Sequence, residues 1–217
     1  KVLEGVNFLK KSGALSSTVD AELKKWFSEF QVWLINSKNG IDEKFSGNNH
    51  STWFAVQMGA IAQYLRDNNV LTELFDHTKN YLIENQFEAD GSMPREEART
   101  LSLHYSVFNL DAFSIILRQA ELSGAKLWDY ENSKKSSFKK STEYVTPFLR
   151  DPESWTKPQI NEYKGENRIY LAFAGWGLDD ANLLGFYKEF LEAHYGKLDS
   201  DPFTLLTSLI LINDERK

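Results

Sequence analysis

The sequence predicts an all-α protein in which antiparallel helix hairpins follow one another, as in a helix bundle or an α/α toroid. Apolar residues recur at intervals of three and four along most of the chain, and strand-like alternation is weak throughout. Capping residues and glycines stand at the ends of these apolar stretches. Successive helices with one apolar stripe each pack as antiparallel pairs, and an ordered arc of such pairs is a toroid.

Four apolar stripes with helical spacing are the clearest. They consist of Leu23, Trp26, Phe27, Phe30, Trp33 and Leu34; of Phe54, Met58, Ile61 and Leu65; of Leu71, Leu74, Phe75, Thr78 and Leu82; and of Leu183, Leu184, Tyr187, Phe190, Leu191 and His194. With the weaker stretches between them, the pattern predicts about eight or nine helices joined by short loops.

Helix boundaries follow from capping residues. Ser17–Asp20 offers N-caps for the second helix, and Asp179–Asp180 offers them for a late one. Glycines where helices should end are Gly13, Gly124 and Gly196. The segment 151–167 has two prolines and little periodicity, so we expect an irregular loop there.

The helix expected at Arg99–Leu122 is apolar on most sides, which is typical of a buried helix. It nevertheless carries Arg99, His104, Tyr105 and Asn109. Buried polar groups need hydrogen-bond partners. These four side chains therefore either satisfy each other or open onto a cleft.

Composition narrows the class of protein. With 217 residues, 41% of them hydrophobic, residues 1–217 are predicted to form one domain with a sizeable core. The net charge of −6 argues against nucleic acid as a partner, but a locally positive cleft on such a protein can still bind a polyanionic sugar. No cysteine is present, so disulfides and cysteine-ligated zinc are excluded. No apolar run is long enough to span a membrane, so no membrane insertion is expected.

The residue types near the middle of the chain suit β-elimination on a uronate polymer. That reaction requires the carboxylate at C5 to be neutralised, a base for the C5 proton and an acid for the departing O4. Amide and guanidinium groups stabilise the developing negative charge. Histidine serves as a base near neutral pH, and tyrosine serves as an acid or, beside cations, as a base.

Spacing partly supports a shared site. Asn49 and His50 stand at a helix start, where backbone N–H groups favour an anion. Trp53 and Gln57 follow one and two turns later on roughly the face of Asn49.

Two arginines belong to the same region. Arg95 and Arg99 are four apart and share a face if the helix covers both, whereas Arg99 and Tyr105 point to adjacent faces.

Three sequence blocks together resemble the alginate lyase superfamily, the poly(mannuronate) lyase-type enzymes. The blocks are the Asn48-Asn49-His50 segment with Trp53 and Gln57, the Asp90-Gly91-Ser92 loop with Pro94, and the Glu97-Ala98-Arg99 segment followed by His104-Tyr105-Ser106 and Phe108-Asn109-Leu110. Their order and separation match as well. The resemblance is clear over residues 2–149 and looser beyond. It implies an incomplete α/α toroid, since family members carry further helices upstream.

By this resemblance, Asn49 and an arginine hold the uronate carboxylate, His50 is the base or assists in that role, and Tyr105 is the acid or both acid and base. His104, Arg95, Trp53 and Gln57 complete the expected substrate-binding set. In the best-known alginate lyases, arginines stand four and seven residues before the tyrosine. Here Leu101 and Ala98 occupy those positions, and the available arginine is Arg99. Related lyases act on other polyuronates such as glucuronan.

The expected partner is an acidic polysaccharide or oligosaccharide. We expect no metal and no cofactor. The protein is expected to be periplasmic or secreted. The oligomeric state is left open. Two other classes remain: a non-catalytic uronate-binding protein, and a toroidal glycoside hydrolase with paired carboxylates drawn from Glu88, Asp90, Glu96 and Glu97.

Overall fold

A computed structural model describes residues 2–165 and 168–194 and confirms the all-α prediction. Within those ranges there is no β-strand, only two isolated β-bridges. In chain order the helical segments are α1 (Val2–Lys11), α2 (Ser17–Asn36), α3 (Lys38–Lys44), α4 (Asn49–Leu65), α5 (Asn68–His77), a π-helical turn (Thr78–Ile83), α6 (Glu84–Gln86), α7 (Pro94–Glu97), α8 (Ser102–Leu122), α9 (Phe138–Val145), α10 (Pro147–Arg150), a 3-10 turn (Pro152–Ser154), α11 (Ile169–Gly177) and α12 (Ala181–His194).

Nine of the α-helices described have seven residues or more, in agreement with the eight or nine expected. Some boundaries differ from the prediction. The N-cap of α2 is Ser16, whose hydroxyl accepts a hydrogen bond from the backbone N–H of Val19, and not a residue of Ser17–Asp20. Gly13 and Gly124 follow α1 and α8 with positive φ, as expected of C-terminal glycines. Gly196 lies outside the described residues.

The helix predicted at Arg99–Leu122 begins instead at Ser102. The preceding residues are held by the loop that follows the 3-10 turn: the N–H of Ser102 donates to the carbonyl of Pro158, and the N–H of Ile160 donates to the carbonyl of Thr100. These bonds form an antiparallel bridge between Leu101 and Gln159. The bridge keeps Leu101 out of helical geometry, so Arg99 is not part of α8.

Helices α4, α8 and α11 lie side by side and run in the same direction. Trp53 contacts Phe108 near the start of α4 and α8, and Gln63 donates to Ser123 near their ends. Tyr170 at the start of α11 is bonded to Asp111 in the middle of α8, and Arg118 near the end of α8 lies over the ring of Trp176 near the end of α11. The chain returns between these helices through α5–α6 and through α9–α10. Parallel helices joined by returning helices are the arrangement expected of hairpins in an α/α toroid.

Helix α8 is the centre of the core, as its apolar composition predicts. Leu103, Leu110, Phe113, Ile116 and Leu117 are all fully buried. It packs against α4 on one side and α11 on the other. A helix enclosed on opposite sides needs apolar residues around most of its circumference.

The aromatic stripe of α2 is only partly buried. Phe27 packs edge-on against Tyr64 of α4, but Trp26 and Trp33 are 55% and 48% exposed. Phe30 stacks between these two tryptophans. One side of α2 thus belongs to the core, while the other forms an outward row of rings.

The irregular loop expected at 151–167 is observed as far as residue 165, apart from the 3-10 turn and the bridge at Gln159. The predicted turn at Gly91 is also present, with φ of 89°. A Cβ there would lie 2.5 Å from the carbonyl oxygen of Lys140, so only glycine fits. None of the described helices has the length and apolarity needed to cross a bilayer.

Candidate active site

Helices α4 and α8 begin at the same end of the molecule, whereas α11 begins beside Asp111, in the middle of α8. Asn49 begins α4, Ser102 begins α8 and Ile169 begins α11. The first N–H groups of these helices are bonded within the protein: that of Asn49 to Glu96, that of Leu103 to Gln159 and that of Tyr170 to Asp111. The end where α4 and α8 begin carries the positive ends of two helix dipoles, and it contains residues singled out from the sequence.

The start of α4 is already bound to a carboxylate of the protein itself. The backbone N–H of Asn49 donates to Oε1 of Glu96 at 2.6 Å, and its Nδ2 donates to Oε2 at 2.8 Å. Asn49 is 3% exposed and Glu96 is 1% exposed. We expected this helix start to be available to a substrate anion, but Glu96 occupies it. The preceding Asn48 caps the helix by accepting from the N–H of His50.

Burial raises the pKa of the Glu96 carboxyl above its usual range. The two hydrogen bonds from Asn49, followed by the charges of Arg99 and His50, act in the opposite direction. Glu96 therefore lies close enough to Asn49, Arg99 and His50 to interact with all three. The sequence had offered Glu96 only as one of several acids near a helix start.

His50 lies on the surface beside α3. Its Nδ1 is 3.0 Å from Oε2 of Glu43, and both side chains are about half exposed. A carboxylate at Nδ1 favours the tautomer with the proton on that nitrogen, which leaves Nε2 with its lone pair. Glu43 thus orients the ring. This contact was not predicted from the sequence, because Glu43 is simply one of the two acids on the short polar helix α3.

Arg99 and Arg95 make different contacts, and the condition for their sharing a face, one helix that covers both, is not met. The guanidinium of Arg99 lies over the ring of Tyr105, 4.0 Å from its centroid. Arg95 instead donates from Nη1 to the carbonyl of Ser46 at 2.6 Å. This happens because α7 ends at Glu97, before Arg99. Arg95 therefore secures the loop before Asn49, and Arg99 alone reaches the tyrosine.

A row of rings connects Tyr105 with Trp53. The ring of His104 meets that of Tyr105 edge-on at 5.6 Å and lies parallel to that of Phe108 at 6.3 Å. Phe108 in turn contacts Trp53 at 4.9 Å. Trp53 is partly buried and not fully enclosed in a hairpin core, and its role as a sugar platform stays a prediction. Gln57, one turn further along α4, is exposed.

A buried network of amides and hydroxyls lies between the two helices that carry these residues. Asn109 of α8 donates to Oε1 of Gln86 at 2.8 Å. The Nε2 of Gln86 donates to the hydroxyls of Thr52 at 3.0 Å and Ser51 at 3.3 Å, both on α4. All four side chains are buried. The network fixes the start of α4 relative to α8, and the sequence pointed to Asn109 but not to Gln86.

Across residues 2–165 and 168–194, no three histidine, aspartate or glutamate side chains form a group that could hold a metal ion. His77, a histidine that the sequence did not single out, lies stacked on Tyr81. Burial, and secondarily the charge of Lys44, lowers its pKa to about 4. We assign His77 to packing.

Known proteins share the fold of this chain and part of its sequence pattern. The chain is similar to an alginate lyase from Bacteroides ovatus, whose crystal structure was solved at 1.60 Å resolution, with 23% sequence identity and a TM-score of 0.70. The similarity covers 93% of this chain and 49% of that one, so the chain spans about half the length of the enzyme. No curated protein matches it.

The structural likeness confirms the α/α toroid predicted from the hairpins, since it extends over nearly all of the chain. The family model described as alginate lyase matches residues 1–155 of 217. That stretch contains all three sequence blocks, the Glu96–Asn49 contact and the Arg99–Tyr105 pair. The chain belongs to the alginate lyase family.

Proposed function

We propose that this protein is a polysaccharide lyase that cleaves a uronate-containing polymer such as alginate by β-elimination. The observation that carries the proposal is the Arg99 guanidinium placed over the Tyr105 ring, at the end of the fold where α4 and α8 begin. Elimination next to a carboxylate requires a cation that neutralises the carboxylate and an acid or base such as a phenol. Family membership agrees with this assignment.

Arg99 and Asn49 are the proposed carboxylate holders. In the described part of the chain, no carboxylate lies within ion-pair distance of Arg99. Its guanidinium can therefore bind the carboxylate of a uronate. The Nδ2 of Asn49 uses one hydrogen on Glu96 and retains a second for substrate. Neutralising the carboxylate makes the C5 proton acidic enough to remove.

His50 is the proposed base. With Nδ1 turned to Glu43, the free Nε2 is the nitrogen that accepts the C5 proton. Tyr105 then donates its phenolic proton to O4. The C5–H and C4–O4 bonds break, a C4=C5 double bond forms, one proton goes to the base and one goes to the leaving sugar. Alternatively, Tyr105 both removes the C5 proton and donates a proton to O4.

The remaining substrate contacts follow from position. Trp53 and His104 flank the row of rings and offer flat surfaces to the sugar. Gln57 extends that surface along α4, and Arg95 acts indirectly by holding the loop at Ser46. A periplasmic or secreted location is part of the same proposal, because that is where polymeric uronates would be met.

A hydrolase mechanism is not favoured by the acids present. The carboxylate of Glu96 is bound by Asn49. Glu97 accepts from the N–H of Met93 at 3.0 Å and pairs with Lys157 at 3.4 Å. Both acids that are buried near the site therefore serve as structural acceptors, not as a free carboxylate pair.

The deciding experiment is incubation of the protein with polymannuronate, polyguluronate and glucuronan, with ultraviolet absorbance and reducing ends recorded together. A lyase produces a C4–C5 unsaturated uronate that absorbs, in step with new reducing ends. New reducing ends without absorbance would show hydrolysis. Binding to these polymers without either signal would show a non-catalytic uronate-binding protein.

A further inference from the structure

A small pocket adjoins the candidate site on the side of His104. It has a volume of about 210 Å³ and lies between the start of α8 and the loop that precedes α11. Its wall includes His104, Gln159, Asn161, Glu162, Tyr163 and Lys164. Ligand pockets usually span roughly 300–1,000 Å³, so this smaller one suits a single sugar unit and not a longer stretch of polymer.

The loop side of the pocket is firmly built. Besides the bridge between Leu101 and Gln159, the side chain of Gln159 accepts from the N–H of Leu103 at 3.1 Å. Its Nε2 donates to the carbonyl of Asn161 at 2.9 Å. Both polar atoms of the Gln159 amide are therefore used in holding the loop against α8. The neighbouring Asn161, Glu162 and Lys164 are exposed, so their polar groups face solvent or ligand.

The pocket is continuous with the site through one residue. His104 is part of its wall and also touches the ring of Tyr105. A polymer cleaved at Tyr105 must continue past the scissile bond in both directions, so the sugar next to the reacting one has to lie on a neighbouring surface. The pocket beside His104 is such a surface.

The chemistry of the wall matches a charged sugar. Lys164 provides an ammonium group that, within residues 2–165 and 168–194, takes part in none of the ion pairs. Asn161 and Glu162 provide an amide and a carboxylate, which bind sugar hydroxyls. The buried ring of Tyr163 adds an apolar side. One cation among hydroxyl-binding groups suits one uronate residue.

We propose that this pocket is a second subsite, which binds the uronate next to the one at Tyr105 and pairs its carboxylate with Lys164. The inference rests on the proposed function, since it needs a polymeric uronate. It adds a residue and a surface that the three sequence blocks do not contain. It also predicts that affinity depends on the length and charge of the oligosaccharide.

Binding without turnover tests the subsite separately from catalysis. Calorimetric titrations would use the Tyr105→Phe protein with a uronate disaccharide and tetrasaccharide, and with the carboxyl-reduced tetrasaccharide. Lys164→Ala in that background should weaken tetrasaccharide binding roughly two- to fivefold, as expected of a solvent-exposed ion pair. Lys164→Glu should weaken it by about tenfold or more, because like charges then meet. The disaccharide, whose two sugars span the Tyr105 position and the pocket, should respond as well, and the carboxyl-reduced tetrasaccharide should not respond to charge at residue 164.

Lys126→Glu is the matched control. Lys126 is an exposed lysine that follows the far end of α8, a helix of 21 residues and therefore about 30 Å long. Added salt should reduce the effect of Lys164→Glu. Equal affinity of the Lys164→Glu and parent proteins for the tetrasaccharide, or an equal loss with Lys126→Glu, would overturn the subsite. Lys164-dependent binding combined with an absence of turnover in the unmutated protein would uphold the subsite and refute the lyase assignment.

Discussion

The carboxylate of Glu96 receives two hydrogen bonds from Asn49, one from its backbone N–H and one from its side-chain amide. The two residues are 47 positions apart in the chain. Their contact fixes the direction of the Asn49 amide and fills the anion site at the start of α4. The residue predicted to hold the substrate carboxylate is thus itself held by a carboxylate.

Glu96→Gln should therefore impair both stability and turnover. A glutamine presents one oxygen and one N–H₂ group to two donors, so one of the bonds from Asn49 is replaced by a donor–donor conflict. The loss of a charge-assisted bond at a buried site should cost about 1.5–3 kcal/mol of unfolding free energy. Urea unfolding and kcat/KM on the preferred polyuronate measure the two effects.

Glu97→Gln is the comparison for that variant. Glu97 is also buried on α7, but it binds the N–H of Met93 and not Asn49. We expect a loss of stability with little change in kcat/KM per folded molecule. If Glu96→Gln and Glu97→Gln reduce activity alike, Glu96 only supports the fold and has no particular role in positioning Asn49.

Tyr105→Phe should abolish elimination while leaving folding and substrate affinity nearly unchanged. The ring and its contact with Arg99 remain, and only the hydroxyl that carries the proton is removed. General acid–base groups contribute typically 10²- to 10⁴-fold, so kcat should fall by roughly that factor. Asn49→Ala should instead weaken both turnover and binding.

Tyr64→Phe serves as the matched tyrosine. Its hydroxyl donates to Asp20 at 2.8 Å near the far end of α4, away from His50. This variant should lose some stability and keep its kcat. Near-normal turnover by the Tyr105→Phe protein would remove Tyr105 from the mechanism.

Arg99→Lys tests the carboxylate holder. Lysine keeps the charge but lacks the planar group that lies over the Tyr105 ring and binds a carboxylate through two N–H groups. We expect kcat/KM to fall about tenfold or more, and further for Arg99→Ala, since a hydrogen bond to a charged group is worth about 1.5–3 kcal/mol. Arg95→Lys, at the Ser46 carbonyl, should chiefly affect thermal stability. Unchanged kinetics in Arg99→Ala would contradict the assignment.

Gln86→Ala should destabilise the protein through the buried network. It removes the acceptor of Asn109 and the donor to Thr52, leaving unsatisfied polar groups at about 1–3 kcal/mol each. Gln63→Ala is the control, because that amide bonds to Ser123 at an exposed site. Denaturant midpoints should separate the two variants clearly. Similar small losses in both would show that water or a side-chain rearrangement replaces the network.

The pH dependence of the unfolding free energy should reveal the titration of the Asp111 carboxyl. Complete burial raises its pKa to about 8, although the N–H groups of Tyr170 and Ile169 act against the rise. A carboxyl with a raised folded-state pKa stabilises fully below its unfolded pKa of about 3.9 and loses that contribution as pH rises through the folded value. Unfolding free energy should therefore decline between about pH 4 and 8, by at most about 1.4 kcal/mol per pH unit from this group.

Asp111→Asn isolates that effect. The amide oxygen can still accept from the N–H of Tyr170 at the start of α11, but the side chain no longer titrates. The variant should show a flatter stability profile over the same range, measured by urea unfolding at each pH. A profile that keeps the slope of the parent would assign it to other groups.

The sequence by itself determined the helical class, the number of major helices in the described residues and the three blocks that mark the family. These features are local: periodicity of three and four, capping residues and short motifs depend on neighbours within one or two turns. The buried character of α8 was also predictable, because its composition leaves no polar face. The assignment of residues 1–217 to one domain, and the roles of the site residues, stay predictions.

Only the tertiary structure decided how the side chains near the site are used. The bridge between Leu101 and Gln159 removed Arg99 from α8 and let it fold over Tyr105. Glu96 reached Asn49, and Gln86 reached Asn109, across long stretches of chain. Such contacts depend on how helices pack, which no local pattern encodes. A glutamate or glutamine looks the same in the sequence whether it is solvated or buried against a distant amide.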